Sequence, residues 1–423
     1  MKPPGATRVV VVGQGYVGLP LAMRAAEVGY LVVGYDTDGE RVKRLAQADS
    51  YVSDVHRATL QAVLDSGRYH PTTNPEDCAE FDVGLITVPT PLTDGVPDLS
   101  CVEEAGRLLG AYLRPEACVV LESTTYPGTT TDLLAPILET ASGLQAGIDF
   151  HLGYSPERID PGNQRWTLVN TPKLVAGVTP GSLAAVRDFY DTLVERTVPV
   201  RGTGEAELAK LIENTFRHVN IALVNELAMS THALGLDIWE ALDAASTKPF
   251  GFMRFDPGPG VGGHCLPVDP SYLSWQVKRH GGSPFRFIEL ANDVNDHMPA
   301  YVVERLIAAL NRRRKAVNGS RILLLGLAYK ADTADTRGSP AIAVAERLLA
   351  LGAQVRAVDP WINPSTVDSN ITFVHLDAEE IAEADAVVLL TPHHAFDYPM
   401  VATHARCVLD TRRRIEGPQV EHL

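Results

Sequence analysis

The stretch from Arg8 to Asp36 constrains this chain most. A β-branched run, Arg8-Val9-Val10-Val11-Val12, is closed by Gly13-Gln14-Gly15-Tyr16-Val17-Gly18. A helical stretch follows from Leu19 to about Val28, and a second strand from Leu31 to Tyr35 stops at Asp36. A strand that is apolar at every position is buried on both faces, as in a parallel sheet covered by helices. The three glycines permit a sharp strand-to-helix turn whose backbone N–H groups can approach a pyrophosphate at the helix N-terminus. Asp36, closing the next strand 23 residues after Gly13, is placed to accept from a ribose 2′-hydroxyl. The unit reads as a dinucleotide site that prefers NAD to NADP, with Arg41 the nearby residue that would oppose the preference. A tight turn in a ligand-free sheet is the alternative.

The strand-and-turn pattern recurs. Val83 to Val88 stops at Pro89-Thr90-Pro91, and Val119 to Leu121 runs into Glu122-Ser123-Thr124. In the C-terminal part, Arg321 to Leu325 is closed by Gly326, a helix is predicted from Pro340 to Leu351, and Gln354 to Val358 ends at Asp359. Residues 79–89 and 382–392 match as acidic turn, buried strand and Thr/Pro loop. The fold class is therefore α/β, with two Rossmann-like doubly wound domains. The second turn, Gly326-Leu327-Ala328-Tyr329-Lys330, lacks the later glycines and predicts no dinucleotide bound in that manner. Between the domains, Glu205 to Leu234 contains no proline or glycine and carries apolar residues at helical spacing. That predicts a long central helix joining the end domains, with an apolar face for a second subunit. One domain per ~150 residues gives about three, divided here as 1–202, 203–300 and 301–423.

The formal net charge of −15 argues against a nucleic-acid partner or an anionic membrane surface. It leaves room for a small phosphate pocket, to which Lys330 and Arg337 could contribute. Five cysteines with no CxxC pair argue against a disulfide framework or a cysteine zinc site. With no leader-like N-terminus and no run of 18 apolar residues, a cytoplasmic protein without a metal is expected.

Cys265 differs from Cys78, Cys101, Cys118 and Cys407, which read as buried filler. It sits in Pro257-Gly258-Pro259-Gly260-Val261-Gly262-Gly263-His264-Cys265-Leu266-Pro267-Val268-Asp269-Pro270, a loop whose glycines allow close approach to a ligand and whose prolines stiffen it. Such a thiol reads as a nucleophile. A dyad with the adjacent His264 is disfavoured because neighbours in an extended loop point apart. Lys210 and Asn214 share one face of the long helix. Lys210 is either a partly desolvated catalytic lysine or a solvated one paired with Glu207 or Glu213.

Taken in order, GQGYVG, VPTP, ESTTYPGTT, YSPER, AELAKLIENTF, PGPGVGGHCLPVDP and KADTADTRGSP resemble the motifs of the UDP-glucose/GDP-mannose dehydrogenase family over almost the whole chain. The resemblance implies homodimers built around the long helix, and NAD-dependent oxidation of a UDP-sugar C6 alcohol to the carboxylate, of use in polysaccharide biosynthesis. Two hydrides must leave one carbon, so a thiolate adds to the intermediate aldehyde, and the resulting thioester is hydrolysed. By resemblance Cys265 is that nucleophile, and Lys210 stabilises oxyanions with Asp269 and Asn214 beside it. Thr124 helps hold the catalytic water and Glu157 activates it. Cofactor contacts fall on Gly13, Gly15, Tyr16, Val17, Gly18, Asp36, Arg41, Thr90, Thr124 and Arg337. Substrate contacts fall on Glu157, Arg158, Lys210, Asn214, Phe255, Gly260 and Lys330, the last on the UDP part.

UDP-glucose-oxidising members carry a second glutamate four residues after the first; here Pro161 stands there. Glu157-Arg158-Ile159-Asp160-Pro161-Gly162, with Thr247 to Met253 and Arg286 to Leu290, resembles the members acting on UDP-N-acetylglucosamine. UDP-N-acetylmannosamine and then UDP-glucose are the alternatives. A thiol hydrolase or a redox-silent nucleotide sensor are more distant ones, against which the NAD turn and the set Cys265, Lys210 and Glu157 respectively count.

Overall fold

The computed structural model describes residues 3–52, 54–93, 95–160, 163, 165–263, 266–283 and 285–423. Two compact units are present, residues 1–213 with 271–282, and residues 214–270 with 283–423. In the first, β1 (Arg8–Val12) leads into α1 (Gly18–Glu27), β2 (Leu31–Tyr35), β3 (Tyr69–Thr72), β4 (Val83–Ile86), β5 (Cys118–Leu121), β6 (His151–Tyr154), β7 (Lys173–Gly177), α2 (Pro180–Tyr190) and β8 (Thr197–Pro199). The strands lie in the order β8-β7-β6-β5-β4-β1-β2-β3. Neighbours are parallel except β6 and β7. The continuous apolar character of β1 has the expected cause: Val9 and Val11 pack into one apolar layer, Val10 and Val12 into the layer on the other face. Because β1 pairs with both β2 and β4, chain direction switches there, and the crevice beyond the strand ends is where such sheets bind ligands.

A 31-residue helix, α3 (Thr203–Ala233), follows. It begins two residues before the predicted start and takes Gly204 into its first turn. Along it Ile212, Phe216, Leu223 and Leu227 stay 42–55% exposed, and Leu234, just past its end, continues their 4-7-4-7 spacing. That is an exposed apolar stripe at helical spacing, of which Phe216 meets Phe255 of the same chain. The irregular Lys248–Pro270 loop ends earlier than expected, because α4 (Asp269–Arg279) starts at Asp269. A 27-residue helix, α5 (Arg286–Arg312), carries Pro299 inside it.

The second sheet comprises β9 (Arg321–Leu325), β10 (Gln354–Val358), β11 (Thr372–Phe373), β12 (Ala386–Leu389), β13 (Val408–Asp410) and β14 (Val420–His422). Its order is β11-β10-β9-β12-β13-β14, parallel throughout. The sequence repeat has a shared structural task. Asp82 before β4 accepts from the Arg8 N–H at the start of β1 at 2.9 Å, and Asp385 before β12 accepts from the Arg321 N–H at the start of β9 at 3.0 Å. Each aspartate satisfies a strand-end donor that the sheet ladder leaves over.

Candidate active site

The Gly13–Gly18 turn is built by close packing. A Cβ at Gly18 would lie 1.9 Å from the Gly13 carbonyl oxygen, and one at Gly13, whose φ is +93°, would lie 2.8 Å from that of Thr87. Gly15 is different, since a Cβ there would meet nothing within 4 Å. That open space above a helix N-terminus is a cradle of the kind a pyrophosphate needs, so the residues present fit the cofactor. Asp36 is 5% exposed. Its Oδ2 accepts from Gln14 N–H at 2.8 Å and from Arg41 at 2.9 Å, and its Oδ1 accepts from Asp38 N–H at 3.0 Å. The Arg41 and Arg44 guanidinium groups each lie 5.4 Å from the Tyr51 ring centre, and the Tyr51 hydroxyl donates to the Gln14 carbonyl. Tyr16 is 46% exposed and Val17 is half-buried.

Beyond β4 and β5, the Thr90 hydroxyl donates to the Thr124 carbonyl at 2.8 Å, and Tyr272 of α4 donates to the Thr90 carbonyl. Glu157 follows β6. Its Oε1 accepts from the N–H groups of Arg158 at 2.6 Å and Ile159 at 2.7 Å, and its Oε2 accepts from the buried Lys173 at 3.3 Å. The Arg158 guanidinium meets Glu213 at 2.6 Å and the Pro172 carbonyl at 2.7 Å. That pairing ties the Glu157 loop to α3.

The first turns of α3 separate the two readings of Lys210. Glu207 is fully buried and accepts from Gly128 N–H at 2.6 Å, Thr130 N–H at 2.9 Å and the Thr130 hydroxyl at 2.6 Å. Burial pushes its carboxyl up to about 7 against the pull of those donors. Glu213 is engaged by Arg158. Both carboxylates that would neutralise Lys210 are held elsewhere, and among the described residues no ion pair forms at this half-buried lysine. One turn on, Asn214 donates to Asp269 Oδ2 at 2.5 Å, and Asp269 is 3% exposed.

Cys265 and His264, and the Pro161-Gly162 pair used to choose the substrate, lie outside the described residues. Three of the other four cysteines behave as filler, whereas Cys101, expected to be buried, is only half-buried near a helix start. Cys78, Cys118 and Cys407 are buried, and burial raises each thiol, to about 12 for Cys78 and Cys118. Around Cys265 the glycines meet protein rather than open space. A Cβ at Gly262 would lie 2.8 Å from Tyr329 Cβ, one at Gly263 2.8 Å from the Tyr329 ring, and one at Gly260 3.0 Å from the Asn295 carbonyl oxygen. The loop is thus pressed onto the turn after β9, where the Gly263 N–H donates to the Arg337 carbonyl at 3.0 Å. Phe255 packs edge-on against Phe216 at 5.8 Å. The Arg337 side chain is exposed and pairs with Asp335 at 2.6 Å; Lys330 is half-buried, its carbonyl accepting from Thr333. A cavity of about 410 Å³ beside Val261 carries Asp296 and Glu346, the wrong charge for a pyrophosphate.

Sequence reasoning missed Lys173, Glu122 and Tyr190 behind Glu157, and the Gln14–Tyr51–Tyr69 support under the first turn. Lys173 had a readable signal: a lysine opening the otherwise apolar run Leu174-Val175-Ala176 needs a buried counter-charge. Tyr51 and Tyr69 had none, being brought in by the fold.

A dinucleotide turn closed by an acidic strand end in a doubly wound parallel sheet is that of an NAD-dependent dehydrogenase. The chain belongs to the UDP-glucose/GDP-mannose dehydrogenase family: the models of its NAD binding, central and UDP binding domains match residues 7–194, 204–297 and 323–417. It is similar to the UDP-N-acetyl-D-mannosamine dehydrogenase of Pyrococcus horikoshii, with 36% identity over 98% of this chain and 97% of that one. It is also similar to the UDP-N-acetyl-D-glucosamine 6-dehydrogenase of Pseudomonas aeruginosa, with 36% identity over 92% and 91%. The solved structure of the P. horikoshii UDP-D-ManNAc dehydrogenase superposes with a TM-score of 0.90 at 34% identity, covering 98% of this chain and 99% of that one. Among the described residues no helix is long and apolar enough to cross a membrane.

Proposed function

We propose that the chain oxidises C6 of a UDP-N-acetylhexosamine, UDP-N-acetylglucosamine first, from alcohol to carboxylate in two steps with Cys265 as nucleophile. The observation that carries this reading is the state of Lys210, whose two candidate counter-ions are held by Arg158 and by the Gly128–Thr130 loop. Its ammonium is left for an oxyanion at the sugar carbon, with the Asn214–Asp269 pair one turn along the helix. NAD, when bound on the Gly13–Gly18 turn and Asp36, supplies the hydride acceptor. The Cys265 thiol bonds through sulfur to the aldehyde carbon while its proton passes to the carbonyl oxygen, and loss of the second hydride from that carbon with the hydroxyl proton leaves the thioester. At the thioester stage Glu157 takes a proton from water, the water oxygen bonds to the acyl carbon, and the C–S bond breaks to return the thiolate. Replacing Lys210 by Ala tests the reading. We expect kcat to fall by roughly 10²–10³ while substrate Kd barely moves; a wild-type kcat would end it.

The Glu157-Arg158…Pro161-Gly162 motif supports the N-acetylglucosamine epimer. The full-length similarity to the P. horikoshii enzyme supports N-acetylmannosamine as a second reading. The kcat/KM values for the two epimers and UDP-glucose decide between them, and a reversed order of the epimers selects the second. We also read the chain as a cytoplasmic homodimer divided at 202/203 and 300/301. The exposed seam of Ile212, Phe216, Leu223, Leu227 and Leu234 supports the dimer, and sedimentation at twice the chain mass is its expected signature.

A further inference from the structure

Lys173, at the start of β7, belongs to none of the motifs. Its side chain is 3% exposed, and its Nζ donates to Glu122 Oε2 at 2.7 Å and to Glu157 Oε2 at 3.3 Å. Glu122 is buried completely and also accepts from the Tyr190 hydroxyl of α2, whose ring centre lies 5.3 Å from Nζ. A structural ion pair would be complete with Glu122 alone. The second bond instead reaches the one carboxylate of the group that meets solvent: the side chain of Glu157 is 13% exposed, against 3% and 0% for Lys173 and Glu122. Because Oε1 of Glu157 is held by its own loop, Lys173 fixes the remaining oxygen. Beside Glu157 stand Lys173 from β7 and Glu122 after β5, with Tyr190 of α2 bonded to Glu122, while the Arg158 guanidinium next in sequence is taken by Glu213 of α3. Burial alone would lower the Lys173 ammonium, but the two carboxylates outweigh it and raise it, so it is a cation throughout any assay range.

We propose that Lys173 is the positioning residue of the hydrolytic step, holding the Glu157 carboxylate in the orientation from which it takes a proton from the attacking water. This rests on the reading of Glu157 as that base. A fixed carboxylate keeps the water within reach of the acyl carbon, and a misplacement of about 1 Å is enough to cost on the order of 10²-fold in rate.

The test uses full-length Lys173→Met, the double variant Glu122→Gln/Lys173→Met, Lys173→Arg, and Glu157→Gln as reference. The double variant removes the buried pair together, which costs less stability than loss of one partner alone. Rapid-mixing NADH traces should show hydride release at the wild-type rate in both Met variants, followed by turnover slower by about 10²-fold. Intact-mass spectra should show an acyl adduct on the chain. Arg at 173 should recover most of the rate. Wild-type hydrolysis in a folded Met variant, or equal slowing of hydride release and hydrolysis, would overturn the proposal. If Glu157→Gln itself hydrolyses normally, the parent reading falls and takes this one with it. An adduct in Glu157→Gln but in neither Met variant would defeat the role of Lys173 alone.

Discussion

Gly13 and Gly326 occupy one place in two copies of the same device. Each closes a central parallel strand with a positive φ, +93° and +84°. Each faces a threonine carbonyl oxygen that a Cβ would strike, Thr87 at 2.8 Å and Thr391 at 2.4 Å. In each copy the aspartate ending the next strand accepts from the turn, Asp36 from Gln14 and Asp359 from Leu327 and Ala328. The copies then diverge. Asp359 also accepts from Trp361 and Ile362, and its Oδ2 lies 3.0 Å from Nε2 of the fully buried His393. Asp332 N–H donates to the other ring nitrogen, so Nε2 is the donor to Asp359. Where the first turn has Gly15 facing open space, the second has Ala328, buried, its carbonyl taken by Thr391. A repeated fold provides the turn; the second copy fills its turn with its own side chains and backbone, where the first leaves Gly15 open.

The comparison breaks first at Asp359. Its replacement by Ala leaves four N–H groups and His393 without their acceptor, so we expect a loss of roughly 3–5 kcal/mol in unfolding free energy and no change in NAD Kd. Denaturant titration and calorimetric binding measure the two. Gly15→Ala should do the reverse, keeping Tm and weakening NAD binding on the order of 10²-fold, about 2.7 kcal/mol. A retained Kd would mean that the open space is not the pyrophosphate cradle. Asp36→Ser frees Arg41 for a 2′-phosphate, and the NAD-over-NADP ratio of kcat/KM should fall by about 10–10²-fold, roughly 1.4–2.7 kcal/mol. An unchanged ratio would remove Asp36 from cofactor choice. The smallest effect is in pH. Burial pushes the Asp359 carboxyl up, but His393 and the backbone donors outweigh this and hold it below the ordinary range. A carboxyl lowered on folding stabilises above its unfolded value near ~4 and loses that contribution as pH falls through the folded value. The stability gap between wild type and Asp359→Asn should therefore narrow below about pH 4.

Local pattern made the strands β1, β2, β9 and β10 readable to the residue: β1, β2 and β9 carry three or four buried residues in succession, and in β10 exposed Gln354 and half-buried Arg356 alternate with buried Val355 and Ala357. α3 was legible from its lack of Gly and Pro. α5 was not, since Pro299 and a mixed surface hide a helix held by packing of Met298, Val302 and Leu306 in a core layer. The cofactor turn could be read from spacing alone. Whether Lys210 is neutralised could not, because that depends on Arg158 and Thr130, 52 and 80 residues away in sequence. The glycines of the Cys265 loop were read as room for ligand, whereas Gly260, Gly262 and Gly263 make room for Asn295 and Tyr329.

The central claim is that two hydrides leave one sugar carbon in succession at a single thiol. A single-turnover experiment with chain in excess over UDP-N-acetylglucosamine, followed at 340 nm with product identified by mass, tests it directly. The account predicts two NADH per sugar and the carboxylate as product in the wild type, with Cys265→Ser unable to complete the second oxidation. One NADH per sugar in the wild type, or undiminished carboxylate formation by Cys265→Ser, would contradict it.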